Sequence, residues 1–298
     1  MPRNKLFVSL WQNKATMESI IGRKKEQKEL ERIYNSNKAE FVVVYGRRRV
    51  GKTYLVREYF QDRLDFYHTA LSPIELGDES LAEKQLQAFY HSLKRYGAVD
   101  IEKKPADWFE AFEMLDHFRA YEFLFNQPET PLNENLLKET HRILMEHTLS
   151  YRYPEAKAGE YTDTDMCAGD TIFGEHEQLI SRVPQLLSST QRTMEEGKIH
   201  PIILSARFHG FYEYLHPFRD GNGRIGRLFS NFILHKAGHP IVIITYEKKD
   251  EYINALRHIR TERTDEHLIS FFFQTAIERM QREIDEKKKQ SIIFPFLF

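Results

Sequence analysis

Residues 216–227 read HPFRDGNGRIGR. The proline at the second position of this stretch forbids continuation of a helix predicted over residues 202–215, and a second helix is predicted over 223–236. The first turn of a helix presents backbone N–H groups without partners, which makes it a binding site for anions. Gly221 and Gly223 allow phosphate oxygens to approach that backbone. The stretch therefore predicts two helices joined by a phosphate-binding loop.

The side chains of this stretch suit phosphate chemistry. Arg224 and Arg227 stand three residues apart, hence on one helix face, where two guanidinium groups can hold the outer phosphates of a nucleotide. Asp220 supplies the hard carboxylate oxygen that magnesium binds together with phosphates. His216 titrates in the range needed to deprotonate an incoming hydroxyl. Phe218 is expected to point inward and fix the loop.

Around this stretch the sequence predicts a mainly α fold with one extended segment. A helix capped near Asn133 carries its apolar residues on one face. The string GEYTDTDMCAGDTIF at 159–173 is polar and β-prone, and it predicts a hairpin or extended flap that turns at 168–170. Apolar periodicity predicts further helices at 80–98, 107–125, 175–196, 248–262 and 266–288.

The stretch 216–227 resembles, at every specified position, the signature of the Fic family: His, any residue, Phe, any residue, Asp or Glu, then Gly-Asn-Gly-Arg, two free residues and Arg. The similarity extends over residues 117–290, through HFRAYEFLF, NENLLKETHRILM, GEYTDTDMC and KKDEYINAL. The resemblance implies a Fic-type helical bundle with a β-hairpin flap. One departure is Thr162, which follows Tyr161 where many relatives carry Arg.

The resemblance also implies an activity, the transfer of AMP from ATP to a Ser, Thr or Tyr hydroxyl of a target protein. It makes His216 the general base and Asp220 the magnesium ligand. In such enzymes the flap at 159–173 pairs with an extended target segment by strand addition. The nucleotide contacts that it implies involve Phe218, Gly221, Asn222, Gly223, Arg224, Arg227 and, at the adenine, Tyr252.

Several alternatives stay open beside this interpretation. The chain can be a nucleotide-responsive binding module without turnover, or a Fic transferase of UMP, phosphate or phosphocholine. A zinc site from His209, His216, Asp220 and His235 lacks the spacing of metal-binding helices. Glu134 matches the sequence pattern of the inhibitory glutamate found in many Fic-like proteins. Its predicted position in the first turn of a helix explains an acidic residue equally well, through the helix dipole. Restraint by a separate regulatory protein or by the N-terminal segment is equally open.

A second motif lies in the first third of the chain. Residues 46–53, GRRRVGKT, fit the phosphate-binding P-loop pattern, and they follow a predicted buried strand at 41–45 and open a predicted helix at 52–60. By itself the motif implies ATP binding, although a remnant that binds no nucleotide is an equal alternative. The residues that it assigns to the nucleotide are Gly46, Gly51, Lys52 and Thr53.

The chain up to about residue 116 resembles the beginning of an AAA-type ATPase of the kind common in bacteria and archaea. No apolar strand ending in paired acidic residues follows, so hydrolysis at the P-loop is not expected. The predicted organisation is a small α/β P-loop fragment, a Fic domain and an apolar tail, with the bounds 1–116, 117–290 and 291–298.

Composition excludes several other classes. Lys and Arg total 43 against 44 Asp and Glu, and the resulting net charge of −1 provides no global field for a nucleic acid partner. The single cysteine forms no internal disulfide, and the apolar tail SIIFPFLF is too short to cross a bilayer. We therefore expect a cytoplasmic protein without a nucleic acid or membrane partner.

Overall fold

The computed structural model describes residues 20–36, 42–45, 47, 49–60, 63, 66–71, 81–96, 104–168 and 171–293. The described residues are mainly helical, as the sequence predicts. They fall into two compact units, 1–67 and 68–298. The boundary predicted between residues 116 and 117 falls inside a helix of the second unit and stays a prediction.

The first unit contains helices α1, Lys24–Tyr34, and α2, Lys52–Phe60. They share a small apolar core of Leu30, Leu55 and Tyr59. The helix predicted after the P-loop motif is thus confirmed.

The buried strand predicted at 41–45 is wrong for residues 42–45, which form no strand. Their side chains are 37% to 90% exposed. A run of β-branched residues becomes a strand only where neighbouring strands satisfy its hydrogen bonds and cover its faces. In the described part of the chain no strand pairs with these residues.

The second unit is a helical bundle. Its helices α3 to α11 are Leu81–Arg95, Trp108–Phe125, Glu134–Leu144, Leu149–Arg152, Leu179–Glu196, Pro201–Leu215, Asn222–Lys236, Lys249–Thr261 and Glu266–Ile293. Short 3-10 turns at His176–Gln178 and Tyr246–Lys248 precede α7 and α10. All the predicted helices of this region are present, and the Asn133 side chain caps α5 by accepting from Leu136 N–H. The four-residue helix α6 was not expected.

Helix α8 lies at the centre of the bundle. One core packs it against α4, α5, α7 and α9, with Phe208, Phe229 and Phe232 fully buried. A second core packs it against α10 and α11 through Leu268 and Phe272. A helix buried on most of its surface needs a largely apolar sequence, and most positions of α8 are apolar. This packing fixes the position of the segment that ends α8.

The predicted flap contains a short hairpin, in which Cys167–Ala168 (β1) pairs antiparallel with Thr171–Ile172 (β2). The turn residues 169–170 lie outside the described residues. The hairpin is held at both ends by the bundle, since Thr162 N–H donates to Pro217 O at 2.9 Å and Gly174 N–H donates to Tyr214 O at 2.9 Å. The flap therefore borders the 216–227 loop.

The predicted apolar tail begins within α11 and continues beyond the described residues, which end at 293. None of the helices in the described part of the chain has the length and apolar character needed to cross a bilayer.

Candidate active site

The loop between α8 and α9 has a backbone that two residues define. His216 follows the last turn of α8 in the left-handed region, with φ 47°, and its N–H donates to Tyr212 O at 2.9 Å. Gly221 caps α9 with φ 78°, a conformation that favours glycine. The chain thus reverses within a few residues and directs the first turn of α9 toward the end of α8.

Asn222 closes this loop with its side chain. Its Oδ1 accepts from Phe218 N–H at 2.9 Å, and its Nδ2 donates to Phe218 O at 2.6 Å. Both side-chain polar atoms are used in this way, and the residue is buried. Asn222 can therefore contribute to phosphate binding through its backbone, while its amide group maintains the shape of the loop.

Phe218 points inward, as predicted, and stacks on His141 of α5 with ring centroids 3.7 Å apart. His141 Nδ1 accepts from Gly159 N–H at 2.8 Å, which leaves Nε2 to carry the proton and donate to Asp220 O at 3.0 Å. Burial lowers the pKa of His141 to about 4, so the ring is neutral at pH 7. This one side chain links α5, the loop and the start of the flap.

The carboxylate of Asp220 lies at the mouth of the loop among cations. Its Oδ2 is 3.1 Å from Arg152 Nη1, and its Oδ1 is 3.6 Å from Arg224 Nη2. Arg224 also pairs with Glu113 at 3.2 Å. One accessible carboxylate beside a phosphate site is the usual protein contribution to magnesium binding, so Asp220 fits that ion.

Arg227 lies in different surroundings from Arg224. It is close to Glu213 and to Tyr252: burial raises the pKa of both side chains, and the charge of Arg227 acts against that increase. Burial, together with the nearby charges of Arg227 and Arg224, lowers the pKa of His117 to about 4. Both guanidinium groups therefore act on the same region between α4 and α9.

The imidazole of His216 is largely enclosed. It stacks on Phe173 at the end of the flap, with ring centroids 3.7 Å apart and planes 18° apart. The guanidinium carbon of Arg260 lies 4.5 Å from the centroid of the same Phe173 ring. Burial lowers the pKa of His216 to about 4. The ring is therefore neutral at pH 7 and can accept a proton from a hydroxyl.

Glu213 is a buried carboxyl group one turn before His216. Its Oε2 is 3.8 Å from His216 Nδ1. Burial raises the pKa of Glu213 to about 7, whereas Arg227 and Arg260 act in the opposite direction. Among the described residues, neither Glu213 Oε1 nor His216 Nδ1 has a hydrogen-bond partner. The two groups thus retain capacity for a ligand or a transferred proton.

Gly226 permits this arrangement because it has no side chain. A Cβ atom at this position would lie 2.8 Å from Glu213 Oε1 and 3.1 Å from His209 Nδ1. The close approach of α9 to α8 therefore depends on glycine at the position between Arg224 and Arg227.

Comparisons with known proteins show the family to which this region belongs. A profile of the Fic/DOC family matches residues 131–234, and a profile described as an ATPase domain predominantly from Archaea matches residues 20–127. A Fido domain-containing protein from Dictyostelium discoideum is 32% identical over 99 residues, which cover 33% of this chain and 69% of that protein. The chain belongs to the Fic/DOC family.

Two further similarities describe this Fic/DOC chain more fully. A protein adenylyltransferase Fic from Culex quinquefasciatus is 29% identical over 219 residues, or 66% of this chain, and the chain spans only 42% of that relative's length. A Fic domain-containing signaling protein from Bacteroides thetaiotaomicron has a TM-score of 0.55 at 23% identity, with 69% of this chain and 79% of that structure covered. The second similarity shows a shared fold.

Tyr252 and the candidate zinc ligands of this Fic/DOC chain occupy defined positions in the structure. Tyr252, predicted at the adenine, is buried, and its hydroxyl lies 2.7 Å from His209 Nε2; its base contact stays a prediction. A zinc site from His209, His216, Asp220 and His235 does not form. In the described part of the chain, the groups with converging ligand atoms are His258 with Glu262 and His267, and Asp116 with Glu146 and His147.

The P-loop residues of the first unit are largely accessible. Gly46 lies outside the described residues. Gly51 has φ 76° and precedes α2, Lys52 Nζ donates to Arg47 O at 2.7 Å, and Thr53 is exposed. Their role in nucleotide binding stays a prediction.

Sequence reasoning overlooked several residues at the Fic/DOC site. Glu213 carried a detectable signal, since it lies three positions before His216 and thus on the same helix face. Phe173, Arg260 and His141 carried none, because they are distant from the loop in sequence and reach it only through packing.

Proposed function

We propose that this chain is a protein adenylyltransferase, which moves AMP from ATP to a Ser, Thr or Tyr hydroxyl of a target protein. The observation that carries this proposal is the neutral, partly enclosed His216 next to an intact anion loop that also holds Asp220, Arg224 and Arg227. Relatives named as adenylyltransferases support it.

In this mechanism His216 accepts the proton of the target hydroxyl while its oxygen attacks the α-phosphorus of ATP. The bond from that phosphorus to the bridging oxygen breaks, and pyrophosphate leaves with the electron pair. The first-turn N–H groups of α9 and the guanidinium groups of Arg224 and Arg227 offset the charge of the phosphates. A magnesium ion held by Asp220 would neutralise part of that charge when bound.

Glu213 assists His216 from within the protein. Protonation of His216 creates a cation, and a carboxylate 3.8 Å from Nδ1 stabilises that cation. The stacked Phe173 ring restricts the imidazole to one orientation. Both residues therefore act by positioning the base.

We propose that the flap at 159–173 docks an extended segment of the target, as strand addition requires an accessible strand edge. Ile172 in β2 is 76% exposed and suits contact with a partner. In this proposal residues 117–290 form the transferase domain, and the P-loop of the preceding fragment 1–116 binds ATP without hydrolysing it.

Incubation of the purified chain with labelled ATP, UTP or CTP and a cell lysate tests the proposal. We expect protein-bound label from ATP that depends on His216 and on magnesium, with AMP located on a hydroxyl by mass spectrometry. If UTP or CTP labelled protein in preference to ATP, the activity would be transfer of another nucleotide and not adenylylation. ATP binding without any transfer would instead favour a nucleotide-responsive module.

A further inference from the structure

A groove of about 1290 Å³ lies in the second unit between α7, α8 and the turn that joins α10 to α11. Ile172 of the flap and Tyr214 near the end of α8 form part of its wall. The groove therefore runs up to the flap that borders the candidate active site.

Its lining carries a local excess of positive charge. Four arginines line it, at positions 182, 207, 260 and 263, whereas Asp265 is the one carboxylate among the described lining residues. Asp265 is already paired with Arg207 at 2.7 Å. The whole chain has a net charge of −1, so this excess belongs to the groove and not to the protein as a whole.

Two of these arginines are available to a partner. Within the described part of the chain, neither Arg182 nor Arg263 has a carboxylate at ion-pair distance, and Arg182 lies 5.9 Å from the ring centroid of Phe211. The lining also includes apolar side chains, among them Leu186 and Phe208. A ligand that complements this surface carries carboxylates spaced by apolar side chains.

One residue connects the groove to the candidate base. Arg260 lines the groove, donates to Glu213 O at 3.1 Å and lies over the Phe173 ring on which His216 stacks. Arg260 thus connects one wall of the groove to the Phe173 ring on which His216 stacks.

We propose that this groove binds an acidic segment of the target protein, adjacent to the hydroxyl that is modified. The inference rests on the proposed transferase function and narrows its substrate class to proteins with Glu-rich or Asp-rich sequence near the acceptor. Charge attraction at a surface groove contributes selectivity and a faster association rate, both of which decrease with added salt.

The test uses the full chain and fluorescein-labelled peptides in which Glu alternates with Leu, or Gln with Leu, around one Ser. Anisotropy measures their binding without ATP. We expect the Glu peptide to bind at least about tenfold more tightly than the Gln peptide at low salt. Reversal of two groove charges, Arg182→Glu with Arg263→Glu, should abolish this preference.

A matched control reverses two charges on α7 and α10 outside the groove, Arg192→Glu with Arg257→Glu. Both side chains are exposed, and neither lines the groove. Equal binding of the two peptides, or equal losses in the groove and control variants, would overturn the proposal. Peptide-independent dimerisation that the groove variant alone abolishes would also overturn it, because the occupant would then be a second copy.

The binding assay separates this inference from the transferase proposal. His216→Ala should bind the Glu peptide as the wild type does, since the groove does not need the base. Selective peptide binding together with no transfer from any nucleotide would remove the transferase proposal and keep an acidic-segment site. Transfer without selectivity for acidic peptides would remove the acidic-segment site and keep the transferase proposal.

Discussion

Glu213 Oε2, in the last turn of α8, lies 3.8 Å from Nδ1 of His216, the residue that follows this helix. This relationship joins the candidate base to a carboxyl group that also lies beside Arg227. A single buried side chain thus lies next to both the proton-accepting end and the phosphate-binding end of the site. The ionisation state of Glu213 therefore affects the electrostatic environment at both the proton-accepting and the phosphate-binding end of the site.

Glu213→Gln should lower the transfer rate and remove its dependence on pH near neutrality. Because burial raises the pKa of Glu213 to about 7, the carboxylate forms as pH rises from about 6 to about 8, and the wild-type rate should rise with it. At about pH 8 we expect the Gln variant to be about tenfold slower, which corresponds to roughly 1.4 kcal/mol. An unchanged pH profile in the variant would remove Glu213 from the mechanism.

The same substitution should increase stability at high pH. The folded-state pKa of Glu213 is raised from 4.5 to about 7, so the stabilising contribution of its neutral form is present below 4.5 and is lost as pH rises through 7. Glu213→Gln stays neutral and should gain up to about 3 kcal/mol at about pH 8 relative to about pH 5. Urea unfolding at the two pH values measures this difference, and Glu247→Gln serves as an exposed control.

His216→Ala should remove protein labelling and leave ATP binding nearly unchanged, because proton abstraction alone is lost. The left-handed backbone at this position makes alanine destabilising by about 1 kcal/mol. His216→Asn relieves that strain, since asparagine adopts this conformation more readily, and it should be equally inactive. Labelling at the wild-type rate in either variant would exclude His216 as the base.

Asn222→Ala should destabilise the second unit by about 2–4 kcal/mol, because two buried backbone groups of Phe218 lose their partners. Chemical denaturation measures the loss. Asn254→Ala, on the exposed face of α10, should change stability by less than about 0.5 kcal/mol. Equal effects of the two substitutions would contradict the loop-closing role of Asn222.

Lys52→Ala should leave transfer within a few-fold of the wild type, because the proposed catalytic groups all belong to the second unit. Labelling kinetics with ATP measure the ratio, and circular dichroism verifies the fold. A collapse of transfer with the fold intact would mean that the P-loop controls the Fic/DOC site.

Glu134→Gly should change self-labelling by less than about threefold, because Glu134 pairs with Lys138 at 2.7 Å in the first turn of α5, where the helix dipole explains an acidic residue. A truncated chain that starts near residue 105 serves as the comparison. A large gain from Glu134→Gly alone would identify an inhibitory glutamate, whereas a gain on truncation alone would assign restraint to the N-terminal segment.

The local backbone around the loop was predictable from residue types. Pro217 ends α8, Asn133 caps α5, Gly221 takes a left-handed conformation, and Phe218 turns inward, because each depends on a residue's own conformational limits or on apolar burial. The motif also placed His216, Asp220, Arg224 and Arg227 on one short loop and helix turn. The strand predicted at 41–45 was wrong at 42–45 for the opposite reason, since a strand requires partners from elsewhere in the chain.

The surroundings of this loop result from tertiary packing. His141 reaches Asp220 O across 79 positions of sequence, and Phe173 reaches His216 because the flap is anchored to the end of α8. Glu213 acquires its raised pKa from burial by neighbouring helices, which local sequence does not encode. Short-range conformational preferences fix the path of the backbone, whereas the burial and charge environment of each side chain arise from the packing of distant segments.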